Sequence, residues 1–261
     1  ADSKYSHIRL WGSIGFIVAA ILLGIMIDSL GERSLIYALL ITQLTIFFLA
    51  FILPDKKVTF IKNNKRPIWP ILRRREVIVL LLSCALMVSS HGLLYNFYSI
   101  FLEQQGYSGT TIGLLWSVGV VFEILIFLLM PKILSNFTLK AVLLISLGFA
   151  VIRFFLIGAY VDSIIILVIA QIMHAATFGS FHVASIQLIA HFFYNEHQAR
   201  GQSLYNSITY GIGGAIGGLG GGYMIQYSGM ANTFMLSAIL PFIGFLVLIL
   251  GLKTKFKAEL K

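Results

Sequence analysis

The sequence predicts an all-α integral membrane protein of about eight transmembrane helices, on three observations. Hydrophobic residues make up 58% of the 261 residues and charged residues 11%, a balance far from that of a water-soluble domain. Apolar stretches of roughly 20 residues, the length a helix needs to cross a hydrocarbon core of about 30 Å, follow one another along the chain. These stretches are too long for β-barrel strands and lack their alternation, so helices remain as the way to satisfy every backbone group in lipid.

In chain order the stretches lie near 10–27, 35–53, 77–101, 111–130, 139–159, 163–190, 203–225 and 233–252. The first two are joined through a turn at Gly31. The polar stretch 54–76 follows, with Lys56, Lys57, Asn63, Asn64, Pro67, Pro70 and the run Arg73-Arg74-Arg75, and reads as a linker. The third stretch carries His91, Tyr95 and Tyr98 at i, i+4, i+7 spacing, which sets them on one face. It ends before Gly106. The fourth holds Trp116 and Glu123 and gives way to a short loop from Pro131 to Lys140.

The fifth stretch holds Arg153 and ends near Asp162, and the sixth carries Gln171, His174, Phe178 and His182 on one face. Gln202, Asn206 and Tyr210 form a polar line at the start of the seventh. Beyond it Gly213, Gly217 and Gly221 make one small-residue row and Gly214, Gly218 and Gly222 another, which suits close helix packing and not a phosphate loop. A turn at Gly229 leads into the eighth. The chain therefore divides into two helices (1–53), the linker (54–76), a block of six helices (77–253) and a tail (254–261).

The net charge of +9, from 19 Lys and Arg against 10 Asp and Glu, would suit a nucleic-acid binder, but the positions of the basic residues say otherwise. With residue 1 in the cytoplasm, Lys4, Arg9, Lys56, Lys57, Lys62, Lys65, Arg66, Arg73, Arg74, Arg75, Lys132, Lys140, Arg200, Lys253, Lys255, Lys257 and Lys261 all fall on the inner side. Arg33 falls outside and Arg153 within a span. This asymmetry is the positive-inside pattern, so both chain ends are expected in the cytoplasm and no nucleic acid is called for. Cys84 is alone within a span, forms no intrachain disulfide and reads as packing. No cleavable signal peptide is expected, and a chain that opens without Met, running straight into a helix from Tyr5 to Trp11, is expected to have further sequence upstream.

A faint internal repeat relates the first two spans to the last two. At an offset of 198 residues Gly15 matches Gly213, Gly24 matches Gly222, Gly31 matches Gly229, and Asp28 falls opposite Gln226. That offset is about the length of six helices with their loops, and parallel six-helix halves around a midplane site are a common plan of secondary transporters.

The string Ile8-Arg9-Leu10-Trp11-Gly12-Ser13-Ile14-Gly15-Phe16 resembles the start of the fifth helix in the phenylpropionate permease family of the major facilitator superfamily. So do His91-Gly92-Leu93-Leu94-Tyr95, Gly106-Tyr107-Ser108 and Gly113-Leu114-Leu115-Trp116-Ser117-Val118-Gly119-Val120-Val121-Phe122-Glu123, in matching order along nearly the whole chain. The resemblance implies a partial major facilitator fold, helices 5 to 12 of a twelve-helix aromatic acid:proton symporter of a bacterial cytoplasmic (inner) membrane. Residues 1–53 would be the last two helices of the N-terminal half and 77–253 the complete C-terminal half. The first four helices, absent from this chain, would be needed for transport.

An ionised group at mid-bilayer costs about 2.5 to 3.5 kcal/mol on insertion scales, so each one asks for a reason. Glu123 and Arg153 are the two clear cases. Burial favours the protonated carboxyl and a nearby guanidinium the ionised one, so relative movement of the two would load and release a proton; the plainer alternative is a static pair between helices. His174, on the helix after that of Arg153, suits a proton relay, since imidazole titrates near neutrality. A carboxylate, an arginine and a histidine on three successive helices also resemble the proton-coupling layout of lactose permease, a distant relative of that family.

Proton coupling is therefore expected of Glu123, Arg153 and His174. Substrate contact is expected of His91, Tyr95, Tyr98, Trp116, Gln171, His182, Asn206 and Tyr210, for each of which simple helix packing is the competing account. No GxxxxGK[ST] or HExxH motif is present, so nothing points to ATP, a metal or another cofactor. The segment Gly12 to Gly24 lacks the Gly-Pro signature of drug-proton antiporters in the superfamily, which favours symport. The expected function is uptake of a small aromatic carboxylate such as 3-phenylpropionate with a proton. A nucleoside or sugar symporter and a truncated, transport-inactive membrane protein stand as alternatives. An enzyme does not fit, because no nucleophile or cofactor motif accompanies the carboxylate and histidines.

Overall fold

A computed structural model describes the backbone of residues 2–53 and 67–252, with the side chains of residues 2–10 and of Asn195 outside that description. The linker's Lys56 to Arg66 and the tail 254–261 lie outside the described residues.

All regular structure described is helical. Helix α1 (Asp2–Leu30) and helix α2 (Ser34–Ala50) form a hairpin about Gly31, whose φ of 80° lies in the left-handed region that glycine enters without strain. A single turn, α3 (Trp69–Leu72), precedes α4 (Arg75–Gln104), α5 (Gly109–Asn136) and α6 (Leu139–Ala159). The side chain of Ser108 caps α5 by accepting from Thr111 N, and Thr138 caps α6 by accepting from Ala141 N, each at 3.2 Å.

The next crossing joins α7 (Ile164–Ile172) to α8 (Phe181–Phe192) through a π-helical turn, Ala175–Ser180. After it come α9 (Gln198–Asn206), π-helical turns at Ser207–Gly213 and Ile216–Gly220, α10 (Gly221–Ser237) and α11 (Ile239–Gly251). Six stretches meet the length and hydropathy of a membrane span, and the last of them, Gln198–Gly251, is 54 residues long. It is two crossings. Gly213, Gly217, Gly221 and Gly222 meet Ala85, Ser89, Leu93 and Phe97 in ascending order, whereas Phe234 stacks on Phe101, Gly244 meets Ser83 and Gly251 meets Val79 in descending order. The chain reverses between them, at Gly229 (φ 75°). With the 17-residue α2, this makes eight crossings among the described residues, as the hydropathy pattern predicts.

One boundary differs. The loop expected from Pro131 to Lys140 is helical as far as Asn136, and only Phe137 and Thr138 separate α5 from α6. Proline removes a single backbone hydrogen bond, which a membrane helix tolerates. The carbonyl of Lys132 nearby is engaged by Ser135 Oγ (2.8 Å) and Asn136 Nδ2 (2.7 Å).

Helix α4 is the axis of the six-helix block, 78% of its most apolar window being buried, against 6% for α1. The π-helical stretch lies on α4 backbone to backbone: a Cβ on Gly92 would stand 2.7 Å from the carbonyl oxygen of Gly214, and one on Gly217 would overlap the carbonyl of Ser89. Side chains larger than hydrogen would force these helices apart. The hairpin α1–α2 joins the block chiefly through α1 against α5. Large apolar side chains such as Leu44, Phe47, Leu128 and Leu250 are exposed around the outside, the inverse of a soluble core and the pattern of a lipid-facing surface.

Candidate functional site

Arg153 organises the interior. Helix α6 carries it six residues before the helix ends, so it lies about 9 Å from that end at 1.5 Å per residue, and its side chain is fully buried. Its Nε donates to the carbonyl of Ala170 at 2.8 Å, a good hydrogen bond. The outer edge of the guanidinium is held more loosely, with Nη1 3.3 Å from His91 Nε2 and 3.3 Å from Thr177 Oγ1, and Nη2 3.4 Å from Gln171 Oε1. All these partners are neutral acceptors, and among the described residues no carboxylate stands within ion-pairing reach of the guanidinium.

The network assigns the tautomer of His91. Its Nδ1 lies 3.0 Å from the carbonyl of Met87 and can only donate there, so Nε2 presents its lone pair to Arg153 and the ring is neutral. His91 also meets Phe154 edge to face at 5.3 Å and lies 6.0 Å, ring to ring, from His174.

His174 ends the regular part of the α7 crossing, just before the π-helical turn, and its Nε2 is 3.9 Å from Glu123 Oε2. Glu123 comes from α5, which packs closely on the π-helical turn at Gly179, where a Cβ would stand 2.6 Å from Ile126 Cγ2 and 3.4 Å from Glu123 Cγ. Glu123 and Arg153 are therefore linked through two histidines and not in a direct pair. Below His174 a stack continues along the same face, His174 on Phe178 at 5.3 Å and Phe178 on His182 at 6.1 Å, each within 9° of parallel. His182 Nδ1 then meets Tyr210 Oη at 3.1 Å. Among the described residues Gln171 Nε2 and His174 Nδ1, both buried, have no hydrogen-bond partner within 3.5 Å.

An aromatic group adjoins this polar chain. Tyr95 stacks on Trp116 (6.1 Å, 25°), Tyr98 meets Trp116 edge to face (5.4 Å), and Trp116 Nε1 donates to Ser99 Oγ at 3.0 Å, which fixes the indole. Tyr98 is fully buried, whereas Tyr95 is 46% exposed and forms the open edge of the group, 6.0 Å from the His91 ring.

Of the residues the sequence singles out, the fold brings together Glu123, Arg153, His174, His91, Tyr95, Tyr98, Trp116, Gln171, His182 and Tyr210. Asn206 does not join them; its side chain is exposed. Sequence reasoning misses Thr177, the Ala170 carbonyl, Ser99 and Phe154. Thr177 had a signal, since it lies three residues after His174 on the marked face. Gly119 had none: a Cβ there would stand 3.1 Å from Gln171 Oε1, so the glycine gives that side chain its space.

A multi-pass helical bundle with a buried guanidinium, carboxylate and histidines in its interior is the build of a membrane transporter. Comparison with known proteins agrees: the chain belongs to the MFS_1 like family, whose pattern matches residues 1–236, a family of transporters and not of enzymes. It is 31% identical over 240 residues to a probable 3-phenylpropionic acid transporter of Escherichia coli (strain K12), a match covering 90% of this chain and 62% of that protein. It is 24% identical to the uncharacterized transporter YwbF of Bacillus subtilis (strain 168), over 94% of this chain and 61% of the other. The chain thus spans less than two thirds of the length of these curated relatives. The crystal structure of nucleoside transporter NupG shares the fold, with a TM-score of 0.78 at 20% identity over 97% of this chain and 68% of that one.

Proposed function

We propose that this chain carries the substrate and proton site of a secondary transporter that imports a small aromatic carboxylate, such as 3-phenylpropionate, with a proton. The observation that carries this reading is Arg153: a fully buried guanidinium that, among the described residues, bonds only to neutral groups, its outer edge held at 3.3 to 3.4 Å. A buried charge without a counter-ion is costly, and a substrate carboxylate accepting from both Nη atoms would supply that counter-ion in the bidentate geometry arginine favours. Gln171 Nε2, without a hydrogen-bond partner within 3.5 Å among the described residues, is a further donor beside it. The stacked Tyr95 and Trp116 offer a flat apolar face for a phenyl ring, and the E. coli relative is named for such an acid.

On this reading Glu123 carries the proton and His174, 3.9 Å away, passes it. Protonation removes a charge from the interior before the site changes sides, and site access alternates as the two halves rock. The positive-inside distribution of basic residues in the sequence supports an orientation with the linker and both chain ends on the cytoplasmic side of a bacterial inner membrane. The chain's share of its curated relatives' length, 61–62%, is consistent with its supplying helices 5 to 12 of the transporter.

Competition separates substrate classes. With the whole gene product in vesicles, uptake of labelled 3-phenylpropionate is expected to be blocked by the unlabelled acid and barely affected by 3-phenylpropanol, its neutral counterpart, or by uridine. Equal inhibition by the alcohol would remove the guanidinium from substrate recognition. Inhibition by uridine alone, with uridine itself taken up, would replace this reading by nucleoside transport.

A further inference from the structure

The contact between α1 and α5 contains a device that the substrate site does not use. Asp28, in the last turn of α1, lays its carboxylate over the first turn of α5. Oδ1 accepts from Gly109 N at 2.6 Å, and Oδ2 accepts from Thr110 N at 2.8 Å and Thr110 Oγ1 at 2.5 Å. The two amides open a helix and so lack intrahelical acceptors, and that end of a helix favours negative charge. Helix α5 does not need Asp28 in order to start, because Ser108 already caps it through Thr111 N. A carboxylate brought from 81 residues away ties two bodies together.

The surrounding backbones are in direct contact. A Cβ on Gly24 would overlap the carbonyl of Gly109, one on Gly113 would overlap the carbonyl of Ala20, and one on Gly109 would stand 2.8 Å from the carbonyl oxygen of Gly24 and 2.9 Å from Asp28 Oδ1. Along this face of α1 Gly24 is buried, while Ala20, Ile17 and Ser13 are half-buried, so backbone contact runs from Asp28 down to Ala20. Glu123 lies fourteen residues further along α5, about 21 Å away at 1.5 Å per residue.

We propose that Asp28 is a latch: its carboxylate on the N-terminus of α5 holds the α1–α2 hairpin against the six-helix block at the end away from the basic linker, and the site opens toward that end only when these bonds let go. Asp28 and Thr110 lie at the exposed rim, where water replaces the bonds as they part, so the latch is reversible. The inference uses the alternating-access part of the proposed function and is independent of the substrate.

The test measures access in the whole gene product, in vesicles oriented with the Asp28 end outward, with Cys84→Ser and a single reporter cysteine, Ser117→Cys. Ser117 is buried on α5, two turns below Gly109. Its labelling rate by a membrane-impermeant maleimide is expected to rise about tenfold in Asp28→Ala, which removes three bonds to a carboxylate, and about threefold in Thr110→Val, which removes one. Asp28→Glu is expected to return the rate toward the parent's. Should Asp28→Ala fail to fold, Thr110→Val carries the test, because the helix and its cap stay intact. Unchanged labelling in Thr110→Val, or in a folded Asp28→Ala, overturns the latch and leaves the substrate reading untouched.

Discussion

Replacing Arg153 by Met separates a substrate anchor from a structural staple. The substitution removes one good hydrogen bond, Nε to Ala170 O at 2.8 Å, and three long ones at 3.3 to 3.4 Å. Bonds from a charged donor contribute roughly 1.5 to 3 kcal/mol when well made, so the loss to the fold is about that of a single such bond. Against it stands the desolvation of a buried ion, an effective penalty of several kcal/mol that Met does not incur. The net change in stability is therefore expected to be small or favourable, with a thermal midpoint in detergent within about 5 °C of the parent's, since 1 kcal/mol moves a domain of this size by roughly 2 to 4 °C. Transport is expected to respond very differently. Truncating one partner of a buried charge pair costs roughly 2 to 5 kcal/mol of binding, about thirtyfold to several thousandfold in uptake at low substrate. Arg153→Lys keeps the charge but loses the fork and is expected to fall in between. A large drop in thermal midpoint in Arg153→Met, together with normal uptake in Arg153→Lys, would refute the assignment of Arg153 to substrate.

Three further outcomes follow from the packing. Tyr95→Leu, which removes the ring stacked on Trp116, is expected to raise the KM for an aryl acid about three- to tenfold, an aromatic contact being worth roughly 0.5 to 1.5 kcal/mol, and to leave thermal stability nearly unchanged because Tyr95 is half exposed. Gly217→Val drives a side chain into the carbonyl of Ser89; overpacking of this kind costs about 1 to 3 kcal/mol or more, seen as a lowered thermal midpoint and reduced monodisperse yield. Gly119→Ala crowds Gln171 Oε1 and is expected to reduce uptake by about tenfold with little loss of stability, checked by the two assays side by side.

The eight crossings are legible because lipid forces one long apolar run per helix, and the mid-span positions of Glu123 and Arg153 advertise themselves by their cost. Periodicity then puts Gln171, His174, Phe178 and His182 on one face, which the stacked rings reproduce. Asn206, which the same spacing sets beside Tyr210, is exposed among the described residues and does not join the group. The repeat read from glycines has a physical core in Gly31 and Gly229, which both hold a positive φ at a reversal of the chain. Gly15 and Gly24 differ: the first meets nothing within 4 Å and the second meets backbone. The intervening histidines between Arg153 and Glu123, and the reach of Asp28 to α5, depend on helix rotation and on contacts between distant segments, which a local pattern does not encode.

The most direct test of the account is uptake of radiolabelled 3-phenylpropionate into cells expressing the whole gene product, with and without a proton uncoupler, for the parent and for Glu123→Gln. The account predicts concentrative uptake that the uncoupler abolishes and that Glu123→Gln lacks, whatever the proton gradient. Uncoupler-sensitive accumulation by Glu123→Gln at the parent's level would contradict the role given to that carboxylate, and no uptake of the acid by the parent would contradict the substrate class.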